Sequence, residues 1–479
     1  MIRGLIWYLT IWIRLSYFSR KGVLGPKPSY PYGNTREGYK GKRNMVYDVD
    51  DIYRDYKGKA PFIGFFMAMT PYYMLLDPEL VKNVLIQKFK HFRNNDFTTT
   101  KERDPLMSRN PFSAKDDEWK QLRGQSAPCL TSNKLKAVYP VLLDGANNMI
   151  KFINKKMSPD NDTVFDARDL SARFTCDVVT SCVLASEANA FASTKSEIYE
   201  LLKKISRGIM DSILSGRSMK LIPLEHENSF IRVMTNAINH RVDSNAQRDD
   251  FLSHIVAVKQ RKGQNEIEAA AHGWTLLFDS FETTSIVVMH ALYEIANDKR
   301  VQDKLREEIM ENLDEDKNLS YEKIFELQYL DQVFYEILRL HPPFMYTKKV
   351  CSEDIELDGV KDHKFLMKKD SKILISLYSI HRDPEYFPDP LFFNPERFDQ
   401  QHGGVKSFRD RCVLLPFGDG PRICLGIKFG SLQVKSLIVE TLKNFEVSVD
   451  EQVPKDLHIS VTEFLNVPEA TIMLNFKSI

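Results

Sequence analysis

Phe417-Gly418-Asp419-Gly420-Pro421-Arg422-Ile423-Cys424-Leu425-Gly426 carries more structural information than any other part of this chain. It reads F-x-x-G-x-R-x-C-x-G, a cysteine framed by glycines, an arginine and an aromatic. A thiolate that ligates a metal centre from one side needs such a frame. Glycine lets the backbone turn tightly and approach a flat ligand. Arginine presents a planar fork of donors that matches a carboxylate.

The other five cysteines, Cys129, Cys176, Cys182, Cys351 and Cys412, are scattered. No C-x-x-C pair or Cys/His cluster occurs, which speaks against a zinc site or a disulfide scaffold. They read as small buried apolar residues. The chain has 479 residues, 43% hydrophobic and 27% charged, which is ordinary globular composition. Its 66 Lys+Arg against 65 Asp+Glu leave a net charge of +1, so no bulk electrostatic case for nucleic acid exists.

The N-terminus carries an uncharged run, Gly4 to Ile13, between Arg3 and Arg14. It is shorter than the roughly 20 apolar residues of a spanning helix. Trp7, Tyr8 and Trp12 suit a membrane interface. No small-residue cleavage site follows. Residues 1–18 therefore read as a short, uncleaved membrane anchor that either spans or lies partly in the interface; an amphipathic helix packed on the protein is the competing reading. Residues 19–33 hold the basic pair Arg20-Lys21 and the segment Gly25-Pro26-Lys27-Pro28, which reads as a stiff hinge. Residues 34–479 contain no further linker and read as a single catalytic domain.

Helical spacing runs through residues near 119–157, 167–186, 194–217 and 228–262. A long helix is predicted from about Glu266 to Asn297, near 48 Å at 1.5 Å per residue. Helical patterns follow at 298–314 and 320–340. Strand-like pieces come late, at Asp354–Leu357, Lys372–Ser376 and Thr471–Phe476. The irregular stretch 383–420 is long enough to be functional.

Four further patterns stand in order along the chain. Trp119 and Arg123 are i, i+4 and share a helix face; alone they read as a cation–aromatic pair. Asp279-Ser280-Phe281-Glu282-Thr283-Thr284 puts an acid beside an alcohol on the long helix. A hydroxyl can donate and a carboxylate can relay protons, although a helical Thr can also bond the carbonyl four residues back. Glu336 and Arg339 form E-x-x-R, followed by His341-Pro342-Pro343 and, later, Arg397. Lys348-Lys349 follows the Pro-Pro turn.

These motifs, in this order and over nearly the whole chain, resemble the cytochrome P450 family. Asn110-Pro111-Phe112-Ser113, Trp119-x-x-x-Arg123 and Lys134-Leu-Lys136 look like insect microsomal members that metabolise xenobiotics. The resemblance implies a mainly α fold with a small β lobe, and haem b buried between the long helix and the Cys loop. It implies Cys424 as the axial thiolate on iron, favouring O–O cleavage. Arg422, Trp119 and Arg123 would anchor haem propionates. Lys349 stands where related enzymes carry Arg, keeping the charge without the bidentate fork. Gly420 and Gly426 would let the loop and the next helix approach the ring, and Phe417 would shield the sulfur. Glu282 and Thr283 would manage protons on the oxygen side. Glu336, Arg339 and Arg397 would form a buried charge network, since an unpaired buried charge is costly.

The family also implies monooxygenation using O2, with electrons from NADPH delivered by NADPH–cytochrome P450 reductase and cytochrome b5 as a helper. No nucleotide-binding fingerprint occurs in this chain. Lys115, Lys120, Lys134, Lys136 and Lys428 could form the docking patch or a solvated face. The implied location is the cytoplasmic face of the endoplasmic reticulum membrane. Asp279 and Ser280 depart from the family pattern, which has small residues there. Asp279 shares a face with Thr283, so it either contacts a basic or hydroxylated substrate or an ordered water, or shapes the helix in place of Gly. Phe278, Phe281, Phe344 to Thr347, Phe464 and Leu465 could line a pocket for lipophilic substrates such as insecticides, plant toxins, hormones or fatty acids, or could be core. Two rival readings stand beside monooxygenation: a reductase-independent haem-thiolate isomerase or dehydratase, and a haem protein that binds ligands with little turnover.

Overall fold

Asn265 starts the helix on which the rest of the chain is arranged. Its side chain accepts from Glu268 N, and Glu268 accepts in return from Asn265 N, a reciprocal capping box. The helix runs Glu266–Asn297 and ends at Asp298, whose carboxylate caps the next helix by accepting from Val301 N at 3.1 Å. Most of its faces are apolar, so it is buried along most of its length. The computed structural model describes residues 2–157, 163–192, 195–214, 220–244, 246, 248–358 and 364–479.

Numbering only the longer helices, the order is α1 (Ile2–Leu15), α2 (Met45–Tyr56), α3 (Asp116–Ser126), α4 (Ser132–Lys156), α5 (Ala167–Leu184), α6 (Glu197–Leu214), α7 (Leu224–Ser244), α8 (Phe251–Lys262), α9 (Glu266–Asn297), α10 (Lys299–Glu311), α11 (Gln328–Leu340) and α12 (Ile427–Asn444). Helix α9 packs against α5, α7, α8, α11 and α12. The strands are β1 (Phe62–Met67), β2 (Thr70–Leu75), β3 (Asn94–Asn95), β4 (Thr163–Asp166), β5 (Tyr346–Val350), β6 (Ile355–Asp358), β7 (Lys364–Met367), β8 (Lys372–Ser376), β9 (Phe445–Val449) and β10 (Met473–Ser478). One sheet has the order β1-β2-β8-β5-β3, a second β4-β10-β9, and β6 pairs with β7. The fold is mainly α with a small β lobe.

Some expectations need correction. The run 119–157 is two helices, split by a 3-10 turn at Ala127–Leu130 that contains Pro128. The run 228–262 likewise divides into α7 and α8. Residues 194 and 215–217 of the third run lie outside the described residues. Strands do not come only late: β1 and β2 form an early antiparallel hairpin, Phe62 opposite Leu75 and Met67 opposite Thr70. Both strands are buried on both faces, so their sequences lack polar–apolar alternation. Pro71 also reads as a breaker, but it sits at the start of β2.

The proposed division at residues 18 and 33 is bridged by packing. The Phe18 ring sits in the β-lobe core, edge-on to Phe66 and Tyr73, and a Cβ on Gly64 would meet it at 2.2 Å. Gly64 N donates to Leu24 O at 2.8 Å. A Cβ on Gly25 would lie 1.9 Å from Gly64 O. The 19–33 segment is thus docked along β1 where two glycines meet. Helix α1 leaves Ile6, Trp7, Leu9, Trp12 and Ile13 exposed. Met1 and the side chains of residues 2–5 and Tyr8 lie outside the described set. Among the described residues no helix is long and apolar enough to cross a membrane.

Two cores place the site. One is built by the helices; the other joins β1, β2 and β8 to Val413, Leu414 and Leu415. The Cys loop begins where the second core ends, and α12 carries the chain into the first.

Candidate active site

The loop 417–426 closes on itself. Cys424 N donates to Phe417 O at 2.9 Å, and Ile423 N to Gly420 O at 2.9 Å. Gly418 and Gly420 both have φ +69, a region that favours glycine. A Cβ on Gly420 would lie 2.0 Å from Leu85 O, so glycine is needed here for the close approach of the 83–87 segment. A Cβ on Gly426 would meet only Cys424 Sγ, at 4.0 Å. Phe417 stacks on Phe334 of α11, with ring centroids 6.3 Å apart.

Cys424 is the exposed cysteine; the other five are buried. Its accessible surface is enclosed by protein, in a cleft reached by the charges of Asp279 and Arg123. Burial pushes its thiol up, the Gly426 N–H opposes this, the Asp279 charge adds to it and Arg123 opposes it. A thiol so placed becomes a thiolate only beside a strong positive centre.

Cations gather at one end of this cleft. Arg422 spends three donors on backbone carbonyls: Nε on Arg93 O at 2.8 Å, Nη1 on Pro111 O at 2.7 Å and Nη2 on Ala114 O at 2.8 Å. Its guanidinium lies 4.3 Å from the Trp119 ring centre, so Trp119 partners Arg422 and not Arg123 in the cation–aromatic contact. Burial and then Arg123 push Arg422 down to about 9. Lys349 is buried and donates Nζ to Asn95 Oδ1 at 2.8 Å; burial and then Arg422 push it down to about 7. Burial also lowers Arg123, whose side chain has no hydrogen bond or ion pair among the described residues. Asp116 alone among nearby carboxylates offsets the shift of Arg422, and it already pairs with Arg93, so these mutually repelling buried cations await further anionic groups. A planar dianionic ligand with a metal centre facing Cys424 Sγ satisfies both ends, so this donor set fits haem b.

Across the cleft lies the middle of α9. Asp279 is exposed to it, while its carboxylate is enclosed by protein. Both carboxylate oxygens accept from Asn110 Nδ2, at 3.0 and 2.9 Å. Thr283 Oγ1 donates to Asp279 O at 2.6 Å, the backbone bond expected of a helical Thr. Its oxygen stays free to accept. Glu282 lies on another side of the helix. Its Oε1 pairs with Arg168 Nη2 and its Oε2 accepts from Ser206 Oγ at 2.9 Å. Glu463 is near: burial, then the Glu282 charge, push its carboxyl up.

Glu336 gathers the buried charge network. Arg339 donates Nε and Nη2 to its two oxygens at 2.7 and 2.8 Å, and Arg397 Nε donates at 2.9 Å. Asn394 N adds a bond at 2.9 Å. Arg339 continues to His381 O at 2.7 Å and Pro390 O at 2.8 Å. The network thereby pins the irregular stretch that precedes the Cys loop.

Phe281 is 1% exposed and sealed in the core. It lies two residues from both Asp279 and Thr283, on the opposite side of the helix, and presents no face to the cleft. Phe278 stacks on Trp274 at 4.4 Å. Phe464 packs edge-on to Phe344 at 6.0 Å. Of the five lysines, Lys134 pairs with Asp249, Lys136 with Glu322 at 2.6 Å, and Lys428 donates to Ser132 Oγ at 2.9 Å. Sequence reasoning missed Arg168, Ser206 and the Asn110 clamp. Their partners are 114, 76 and 169 residues away, and no local spacing signals them.

Comparison with known proteins adds an independent finding. The profile described as cytochrome P450 matches residues 25–476. The chain is similar to probable cytochrome P450 28a5 of Drosophila melanogaster, 32% identical over 95% of this chain and 94% of the relative. Probable cytochrome P450 28d2 of the same organism is 32% identical over 97% and 95%. Cytochrome P450 6k1 of Blattella germanica is 28% identical over 98% and 94%.

Proposed function

The chain belongs to the cytochrome P450 family of haem-thiolate monooxygenases, and on that premise we propose that it oxygenates lipophilic compounds with electrons from NADPH passed by a flavoprotein reductase. The observation that carries the reading is one accessible thiol, Cys424, facing the Asp279–Thr283 turn of α9 across a cleft with a cationic end. Haem b held there supplies a redox iron that activates O2, and a thiolate ligand favours O–O cleavage.

The chain's own groups divide the remaining work. Cys424 would ligate, with the Gly426 N–H donating to its sulfur. Arg123, Arg422, Lys349 and Trp119 would orient the carboxylate-bearing edge. Thr283 would accept a hydrogen bond through its free lone pairs and pass a proton once its own bond to Asp279 O exchanges. Glu282 would bring protons from solvent through the Arg168–Ser206 side. Xenobiotic compounds are the substrate class suggested by the resemblance of Asn110-Pro111-Phe112-Ser113, Trp119-x-x-x-Arg123 and Lys134-Leu-Lys136 to insect microsomal members. Lys115 and Lys120 are exposed and would present cations to an acidic reductase. Exposed Trp7 and Trp12 on α1 would seat at a membrane surface, consistent with the endoplasmic reticulum.

The test has two steps. The reduced, CO-treated protein should show the haem-thiolate absorption band, and Cys424→Ser should lose it. Reconstitution with reductase and NADPH should then give oxygenated product from a lipophile panel, with Thr283→Ala making at least about tenfold less product per NADPH consumed. A thiolate band with product that forms only without reductase would reject monooxygenation for a rearrangement; ligand shifts with no product would reject it for a binding protein.

A further inference from the structure

Asp279 has no part in the chemistry above, yet it is the charged group of α9 that faces the cleft. It lies one turn before Thr283, on the same side of the helix. Asn110, 1% exposed, holds it. Asn110 Oδ1 accepts from Phe112 N at 2.7 Å, which turns the Asn110 amide nitrogen toward Asp279. One amide nitrogen serves both carboxylate oxygens, and no other side chain bonds them among the described residues. An ionised carboxylate has about four acceptor sites, so most of its capacity is unused. Burial pushes the carboxyl up to about 7, and none of the cations at the far end of the cleft offsets that shift. The remaining partner that would stabilise it best is a cation.

A chain of aromatic rings begins two residues from the Asn110 clamp. Phe112, two residues from Asn110, is 39% exposed and stacks on Phe344 at 5.8 Å. Phe97 packs edge-on to Phe112 at 5.5 Å. Phe464 meets both Phe344 and Tyr346, at 6.0 and 6.2 Å. Ring faces attract cations and also give an apolar skeleton its burial. A neutral lipophile gains only the second of these and leaves Asp279 to be neutralised.

We propose that Asp279, oriented by Asn110, with the aromatic chain that starts at Phe112 adjoining that clamp, selects lipophilic amines that carry a protonated nitrogen. The inference rests on the oxygenation reading of the cleft and names its substrate class. In it Asp279 is a specificity residue that anchors the ammonium, while Thr283 stays one turn further along.

The full-length, haem-loaded protein tests this with a matched pair, 1-methyl-4-phenylpiperidine and 1-methyl-4-phenylcyclohexane, which differ at one ring position and in charge. Soret difference titrations give both affinities without turnover. The wild type should bind the amine at least about tenfold more tightly. Asp279→Asn should remove that gap by weakening the amine, with the cyclohexane held within about twofold, and Asp279→Glu should keep part of it. A wild type with no preference for the amine, a gap that survives in Asp279→Asn, or a red-shifted Soret band reporting nitrogen on iron would each overturn the proposal. The wild-type comparison stands even if the variants fold poorly. Failure of the oxygenation reading is distinguishable, because it appears as a missing thiolate band or missing product, whichever ligand binds.

Discussion

Replacing Glu336 removes the anion that two buried guanidinium groups share. Glu336 and Arg339 have 0% of their side chains exposed and Arg397 has 8%. The carboxylate receives two bonds from Arg339, one from Arg397 and one from Asn394 N. Glu336→Gln keeps the shape but leaves two largely buried cations sharing a neutral acceptor. Breaking a buried pair in this way costs about 3–5 kcal/mol, against a total stability of about 5–15 kcal/mol. The arginines keep their carbonyl partners, His381 O and Pro390 O for Arg339 and Pro388 O for Arg397, so the low end of that range is expected. The matched control is Asp303→Asn, which disturbs the half-exposed contacts to Lys299 and Arg306. It should change stability by about 0.5 kcal/mol or less. Urea unfolding followed by far-UV circular dichroism compares the two at unchanged slope. A Glu336→Gln variant within about 1 kcal/mol of the wild type would refute the view that this network holds the segment before the Cys loop.

Gly418 and Gly420 share a positive φ but differ in surroundings. Gly418→Ala meets nothing within 4 Å and should cost only left-handed strain, about 1–2 kcal/mol, whereas Gly420→Ala drives a Cβ into Leu85 O and should also lose haem uptake, read by Soret absorbance. Arg123→Ala removes a cation without a protein partner, so haem-free stability should change by no more than about 0.5 kcal/mol, while haem transfer to a competing haem-binding protein should speed up about tenfold or more. Lys349 binds its proton less well folded than unfolded, with a folded value of about 7. Its charging cost is therefore full below pH 7 and fades as pH rises toward the ordinary lysine value, so the unfolded chain holds more protons across that window and stability rises with pH. Haem-free Lys349→Met should lack this rise, measured by urea midpoints from pH 6 to 9; parallel curves would count against it.

The parts legible in the sequence are those whose partners are close along the chain or whose residue types admit few alternatives. The Cys loop could be read because positive φ demands glycine at Gly420 and a sixth cysteine, Cys424, stood inside that frame. Glu336 and Arg339 could be read because i, i+3 spacing on α11 brings them together. The β1–β2 hairpin could not, since strands buried on both faces show no alternation and the turn residue with positive φ is Ala68 and not a glycine or asparagine. Trp119 was paired with Arg123 on helical spacing, but a stronger contact with Arg422 arrives from a loop far along the chain. Phe281 and Phe278 looked equivalent as pocket residues until the orientation of α9 separated them. The clamp on Asp279 and the Arg168 pair to Glu282 join distant segments, and only the assembled fold brings them into contact.

The three carbonyls that hold Arg422 have a consequence for how this protein can vary. Arg93 O, Pro111 O and Ala114 O belong to one stretch, and Pro111 directly follows the residue that grips Asp279. The sulfur-bearing loop and the ligand-facing clamp are therefore fastened by the same side chain. Drift in Arg422 would loosen the grip on substrate as well as the grip on cofactor, so selectivity and cofactor retention are inherited together. A lineage of variants that changes its diet of ligands by moving residues 93–114 must do so while leaving those three oxygens where they are.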